Sequence, residues 1–291
     1  MSNTHRLAGA VAIAACALAV AAAPILAEEQ ATGWSDKAEF SYVVTDGNSE
    51  TMTLGLKNTL IHKWEKSAFT LKAGAIRAES TTTSSFAVGL VDDFIVDEES
   101  ETEKTAENYF LNGRYDRQIH ERFFWYGSAG WERNRFAGID NRYSAQAGVG
   151  NIWIDREEIK FKTDYAVTYT DQEDVVEIED RDNSFLGARF AWAYLHAFNE
   201  RTTYENLLAL DLNLEESDRW RGDMVNSLAV TMTDKLALKV TLQWLYENDP
   251  AFELIPLFEL PPVPGAEPDD FVPNQLDELD TIFTASLVVT F

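Results

Sequence analysis

The sequence has little of what most catalytic and nucleic-acid-binding sites are built from. It contains one cysteine, Cys16, and 4 histidines in 291 residues. Once the N-terminal segment is removed, as argued below, no thiol remains, which excludes disulfides and cysteine-based metal or nucleophile chemistry. Basic residues are outnumbered, with 24 Lys and Arg against 49 Asp and Glu, and this balance excludes nucleic acid as a partner.

Long apolar runs are also missing after the N-terminus, where no segment reaches the ~20 residues of a membrane-spanning helix. The one apolar run, at 7–27, follows Arg6 and is succeeded by a polar, acidic segment. This order of segments predicts a secretory signal peptide at 1–27, cleaved after Ala27. The mature chain would then be 28–291, and an N-terminal membrane helix is the alternative.

A lipid anchor is a second alternative for the N-terminus. Cys16 follows Ile13-Ala14-Ala15, which resembles a bacterial lipobox. The residues after Cys16 stay apolar through Leu26, whereas a lipoprotein usually turns polar there. The sequence therefore favours cleavage after Ala27.

The mature chain consists of stretches in which apolar residues occupy every second position, the period of a β-strand. The clearest is the last, which ends on an aromatic residue and resembles the sorting strand of Gram-negative outer-membrane proteins. Its alternating residues form a predicted assembly signal: Phe283, Ala285, Leu287, Val289 and Phe291. The alternative is a core strand of a soluble domain, although an apolar edge strand at a chain end invites aggregation.

The connections between about twelve such stretches fall into two classes. The long, mostly acidic ones are 46–50, 79–104, 136–141, 171–183, 214–222 and 248–278. The tight ones are 65–66, 118–121, 155–158, 197–200 and 233–235. Membrane barrels sort their connections in this way, with short periplasmic turns and longer outer loops.

The sequence therefore predicts an all-β fold, a transmembrane antiparallel up-and-down β-barrel of about 12 strands. Its final strand should pair with the stretch from Trp34 to Thr45, with both termini on the periplasmic side. Aromatic residues cluster near both ends of the predicted strands, as interfacial girdles do. A soluble periplasmic barrel is the alternative fold.

The face predicted to point inward carries charges of both signs. The lumen-facing basic residues are Lys57, Lys72, Arg114, Arg142, Lys160, Lys162, Arg189 and Lys239. The acidic residues on the same face are Glu39, Asp116, Glu132, Asp164, Glu205 and Asp211. Such charges can pair across the lumen and fill it, or line a narrow pore that favours small anions.

No catalytic, metal or cofactor site is predicted. His62, His120 and His196 all lie at or beside tight turns, so no histidine can act as base at the outer rim. The acidic clusters within 92–103 and 171–182 lack the spacing and central glycine of a calcium loop. They are predicted to be solvated loops, with divalent-cation binding as the alternative.

Two short motifs carry a resemblance to a known family. The hairpin sequence Thr45-Asp46-Gly47-Asn48-Ser49-Glu50-Thr51 resembles the turn after the first strand of the salt-induced outer-membrane proteins of Gram-negative bacteria. Ala147-Gly148-Val149-Gly150 is similar to a small-residue strand of that family. The resemblance covers Trp34 to Phe291 and implies an outer-membrane barrel, with no catalytic residues to carry over.

The function expected from these observations is structural or passive, in the outer membrane of a Gram-negative cell and connected with salt or osmotic stress. A narrow, weakly anion-selective, porin-like channel is the alternative, and an envelope enzyme is disfavoured. The expected partners are outer-membrane lipids, lipopolysaccharide and, during biogenesis, the barrel-assembly machinery.

Overall fold

A computed structural model describes residues 32–45, 49–90, 93–177, 182–257 and 270–291. The predicted signal peptide and cleavage site lie outside these residues. The strands are β1 (Gly33–Thr45), β2 (Ser49–Lys63), β3 (Ser67–Leu90), β4 (Asp93–His120), β5 (Phe123–Asn134), β6 (Ile139–Asp155), β7 (Ile159–Asp174), β8 (Ser184–Asn199), β9 (Thr202–Asn213), β10 (Trp220–Thr233), β11 (Leu236–Glu247), β12 (Phe252–Leu257), β13 (Asp270–Gln275) and β14 (Leu279–Thr290).

Twelve of these strands form one closed antiparallel barrel, in the order β1-β14-β11-β10-β9-β8-β7-β6-β5-β4-β3-β2. The closing pair is β1 with β14, in register from Lys37 opposite Thr290 to Phe40 opposite Leu287. Beyond this pair, the backbone N–H of Phe291 donates to the carbonyl of Asp36. The predicted twelve-strand barrel and the pairing of its last strand with its first are confirmed.

The distribution of side chains is the reverse of that in a soluble protein. Large apolar side chains are exposed on the outer surface, among them Phe40, Leu54, Leu56, Val167, Leu228, Leu238 and Phe283. Polar and charged side chains are buried inside, among them Arg114, Arg142, Asp164, Gln172, Asp223 and Gln243. A surface this apolar must face lipid, and a closed barrel leaves no unpaired strand edge there. The chain is therefore a transmembrane β-barrel.

A few polar side chains on the outer face are paired with each other. The indole N–H of Trp192 donates to Asn206 Oδ1 over 2.7 Å. Asn206 Nδ2 and the Tyr204 hydroxyl both donate to Asn226 Oδ1. These bonds satisfy much of the hydrogen-bonding capacity of side chains that face lipid.

The two ends of the barrel differ as predicted. One end, the turn end, carries the tight connections between β2 and β3, β4 and β5, β6 and β7, β8 and β9, and β10 and β11, together with both ends of the barrel sequence. The opposite end, the loop end, carries the longer connections after β5, β7, β9 and β11, together with the short turn between β1 and β2 and the extended hairpin of β3 and β4. No helix among the described residues is long and apolar enough to cross a membrane.

Two segments predicted as loops contain further strands. β3 and β4 continue past the barrel wall as a two-stranded arm, paired from Thr83 opposite Ser100 to Leu90 opposite Asp93. β12 and β13 form a separate hairpin within 248–278. The alternation rule missed both, because it detects strands that have one lipid-facing side. Beyond the membrane, a backbone ladder needs no apolar face, and Thr, Val, Ile and Phe favour strands in either setting.

Candidate functional site: the barrel lumen

The eight predicted basic residues lie on the inner face of the wall. Arg114 and Arg142 are each 3% exposed, and Lys160 and Lys162 are also buried. Lys57 and Lys72 are half-buried. Arg189 and Lys239 are largely covered and lie beside carboxylates. The basic residues on β4 to β7 are therefore the most buried of the eight.

Among these, Arg114 is enclosed by anions and a ring. Its guanidinium contacts Asp116 at 2.8 Å on its own strand and Asp164 at 2.9 Å on β7. The same group lies over the ring of Tyr126, 3.7 Å from the centroid. Because every one of these partners is itself largely buried, the cluster forms a closely packed layer in this part of the lumen.

A second polar cluster lies nearer the loop end. Arg142 lies 3.7 Å from Glu132 and 3.5 Å from Glu247, and its Nε donates to Gln172 over 2.6 Å. Glu247 is on β11, far around the wall from Arg142 on β6, so this contact crosses the lumen. Arg142 therefore links two distant parts of the wall.

The cluster continues along β8 to β11. Asp211 accepts from Arg221 at 3.2 Å and lies 3.6 Å from Arg189. Gln243 donates to Asp223 over 2.8 Å. These side chains fill the lumen with paired charges of both signs, so little free charge faces the centre here.

Above this cluster, a short segment closes the loop end. β5 is followed by a 3₁₀ turn, Arg135–Ala137, and by Gly138 at φ 73°. We call residues 135–138 the strap. The side chain of Asn134 accepts a hydrogen bond from the N–H of Ala137, and the carbonyl of Gly138 accepts from Val175. These bonds hold the strap folded inward.

The strap reaches the opposite wall. Ala137 packs against Leu245 of β11 and Ile282 of β14, both buried and pointing inward. Gly138 lies so close to Ala251 that an added Cβ would overlap that residue. The strap and the base of the β12–β13 hairpin thus cover the lumen with apolar contacts. The sequence predicted only a polar loop at 136–141, because the partners of the strap are more than a hundred residues away.

At the turn end, a pocket of about 80 Å³ lies in the mouth of the lumen. Its walls include Lys160, Lys162, Asp116, Phe124 and Ile152. Lys160 lies 3.4 Å from Asp155 at the rim. The pocket and the strap therefore lie at opposite ends of the barrel.

Three charged lumen residues were missed in the sequence: Arg221, Asp223 and Glu247. Arg221 had been assigned to the loop 214–222, whereas β10 begins at Trp220. Arg221 and Asp223 occupy the same alternate positions as Val225 and Ser227, which face inward. A strand start two residues earlier would have predicted them.

The predicted assembly residues of β14 lie on the outer face. Phe283 and Phe291 are exposed by 67% and 71%, and Leu287 is also exposed. Ala285 and Val289 occupy alternate positions between them and pair with Val240 and Leu236 of β11. Their role in assembly remains a prediction, and their placement makes them available to a lipid or protein partner.

Two of the histidines lie in aromatic clusters on the outer face. His62 lies on the outer face between Trp34 and Trp64, with ring centroids 4.4 and 4.2 Å away. His196 lies in a similar aromatic cluster, 4.6 Å from Phe198. No three His, Cys, Asp or Glu residues in the described ranges are grouped so that they could hold a metal ion. Residues 91–92 and 178–181, within the two acidic clusters, lie outside those ranges.

Solved structures similar to this chain include the NanC porin, at 9% identity and a TM-score of 0.46, covering 88% of this chain and 98% of that one. The KdgM porin in complex with disordered oligogalacturonate aligns at 7% identity and a TM-score of 0.43, covering 88% and 99%. An anion-selective porin from Comamonas acidovorans aligns at 9% identity and a TM-score of 0.38, covering 90% and 100%.

A comparison with curated proteins found no matching sequence. The family model for proteins of unknown function DUF481 matches residues 38–255, from β1 to β12. The match spans most of the barrel wall, and the chain belongs to the DUF481 family.

Proposed function

We propose that this protein is a structural component of the Gram-negative outer membrane whose barrel is closed at rest. The apolar outer face supports residence in a bilayer, and the strand order supports the outer membrane, where such barrels occur. In the outer membrane, the turn end would face the periplasm and the loop end would face the outside of the cell. A signal peptide at 1–27 would deliver the chain to the periplasm, and the assembly machinery would insert it among lipids and lipopolysaccharide.

The observation that carries the proposal is the closure of the loop end. Ala137 of the strap meets Leu245 and Ile282, and Arg142 meets Glu247 across the lumen just below. An apolar contact above a paired ionic layer narrows the aqueous route through the barrel and so supports closure at rest. A closed barrel that contributes to envelope integrity, under salt or osmotic stress, fits this arrangement better than an open pore.

The proposal is tested by deleting the gene and measuring two properties of the cell. Growth at raised salt should slow, and an impermeant dye should enter faster, because a structural component is missing. Expression of the wild-type chain should restore both properties. Unchanged salt tolerance and dye entry in the deletion strain would refute the structural role.

A narrow, weakly anion-selective channel is the second candidate. It is supported by two half-buried lysines of the inner face, Lys57 on β2 and Lys72 on β3. If the strap opens transiently, currents in planar bilayers should show a reversal potential displaced toward that of the anion. Replacing both lysines with methionine should reduce this displacement. Currents with no anion preference would argue against this candidate.

We propose no enzymatic activity. Arg142, Asp211 and Lys239 of the lumen are engaged in ion pairs, which disfavours their use as acid or base catalysts. An activity that disappeared on replacing His62, His120 or His196 would contradict this proposal.

A further inference from the structure

The pocket at the turn end is mostly apolar, although charged side chains fill the lumen between it and the loop end. Its apolar wall is formed by residues of β3, β5 and β6, namely Ala68, Phe124, Ile152 and Ile154. These strands lie close together only in the closed barrel, so the pocket is a product of the fold and not of one sequence motif.

The apolar wall is held by close packing. Phe124 is 5% exposed, and its ring lies so close to Gly150 of β6 that a Cβ added there would overlap the ring. Ile152 lies opposite Lys162 in the ladder between β6 and β7. The ammonium group of Lys162 lies 5.8 Å from the centroid of the Phe124 ring. The pocket is therefore preformed, and a ligand can enter it without ordering its walls first.

The polar groups that line the pocket are engaged with neighbouring groups. Asp116 Oδ1 accepts a hydrogen bond from Arg114 over 2.8 Å. The side-chain amide of Gln118 donates to the carbonyl of Glu121 over 3.1 Å. A ligand is therefore not required to complete the hydrogen bonding of Asp116 or Gln118.

The charges around the pocket are balanced. The positive residues that line it are Lys66, Lys160 and Lys162, and the negative ones are Glu65, Asp116 and Asp155. Lys160 and Asp155 lie 3.4 Å apart and form an ion pair. Equal numbers of the two signs give no preference for an anion or a cation, so the chemistry of the apolar wall decides what binds.

The volume of the pocket, about 80 Å³, has room for about six water molecules. Water against an apolar wall forms few hydrogen bonds with it, and an apolar molecule that displaces such water binds favourably. We propose that the turn-end pocket binds one small, uncharged, apolar molecule of the size of a single aromatic ring, which enters from the turn end.

This inference goes beyond the proposed function, because the pocket lies at the opposite end of the barrel from the strap. Binding there requires neither closure nor opening of the loop end. The site therefore stands or falls independently of conductance and of any envelope phenotype.

The test uses the purified mature chain in detergent, with fluorobenzene as the probe and its ¹⁹F NMR signal as the readout. Partition of the probe into detergent does not saturate, whereas binding to the pocket should saturate at one molecule per barrel. Ala68→Leu should weaken the saturable binding about tenfold, because the larger side chain occupies part of the pocket. Ala73→Leu is the matched control, since it makes the same change on the outer face of the same strand. It should bind as the wild type does.

A second measurement on the wild-type chain requires no variant to fold. 4-Fluorobenzoate has nearly the same ring but carries a charge, and it should bind about tenfold more weakly than fluorobenzene, because its carboxylate loses water against an apolar wall. Heat-modifiable migration on gels verifies that both variants are folded barrels. The absence of saturable binding by wild-type protein would overturn the proposal. Equal binding by the Ala68→Leu and Ala73→Leu variants, or tighter binding of 4-fluorobenzoate than of fluorobenzene, would also overturn it.

Discussion

At the scale of single residues, Arg114 shows how the lumen contributes to stability. Its guanidinium contacts side chains from β4, β5 and β7, and thereby joins three strands of the wall from inside. Its burial would be unfavourable alone, and the two aspartates offset it. The burial of the two aspartates would likewise be unfavourable alone, and the charge of Arg114 offsets it.

Replacing Arg114 with methionine should lower the free energy of unfolding by about 3 kcal/mol, because Asp116 and Asp164 would remain buried with only Lys162 as counter-charge. Urea-induced unfolding from lipid vesicles measures this change. The control is Arg77→Met, whose pair with Glu79 is exposed at the loop end. If both variants were equally stable, the ion pairs of Arg114 would contribute nothing to the free energy of unfolding.

Gly138 is the residue on which the strap depends most directly. Its φ of 73° disfavours any side chain, and an added Cβ would overlap Ala251. Gly138→Ala should therefore lift the strap away from the lumen. In a chain produced as residues 28–291, which contains no other cysteine, an Ile139→Cys reporter at a position only 2% exposed can detect this movement.

A membrane-impermeant maleimide should label Ile139→Cys several-fold faster when Gly138→Ala is also present. Gly127→Ala is the matched control, because a Cβ there meets only the carbonyl of Gln146, at 3.9 Å. Labelling at the same rate in all three backgrounds would show that the strap is not held by this contact.

At the scale of elements, β14 both closes the wall and presents its apolar side chains outward. Phe291→Asp, or deletion of Phe291, should block assembly and leave the chain to periplasmic proteases. Phe198→Asp serves as the control, because Phe198 is an exposed aromatic at the same end of the barrel but is not terminal. Surface levels of the Phe291 variants equal to those of the control would contradict the assembly signal.

The elements also show where sequence patterns succeed and fail. Alternation identified all twelve strands of the wall, because each strand has one face in lipid and one in the lumen. It missed the upper parts of β3 and β4, which have no lipid to face. It could not find the strap, since the burial of Ala137 depends on Leu245 and Ile282, which only barrel closure brings opposite it.

Sequence patterns also fail to predict how the charged residues of the lumen pair with one another. The sequence placed eight lysines and arginines on the inner face from their positions along each strand, and it missed Arg221 because β10 begins earlier than predicted. It could not predict that Arg142 would meet Glu247, or that Arg114 would meet Asp164, because these pairs depend on the number of strands and their stagger around the wall. The distinction between a filled lumen and a pore therefore required the three-dimensional arrangement.

At the scale of the whole molecule, the barrel is asymmetric along its axis. The turn end carries a pocket, the polar clusters lie between this pocket and the loop end, and the strap lies at the loop end. Apolar contacts across the mouth are not expected of an open, general porin. The arrangement therefore supports the proposal of a barrel that is closed at rest.

The most direct test of this account is the conductance of the purified protein in planar lipid bilayers. Wild-type protein should show no steady current, whereas the double variant Leu245→Ser/Ile282→Ser should conduct, because polar side chains would admit water between the strap and the wall. Val225→Ser, an inward-facing change on β10 away from the strap, should remain closed. Steady currents from the wild type, as large as those of the double variant, would contradict the closed barrel.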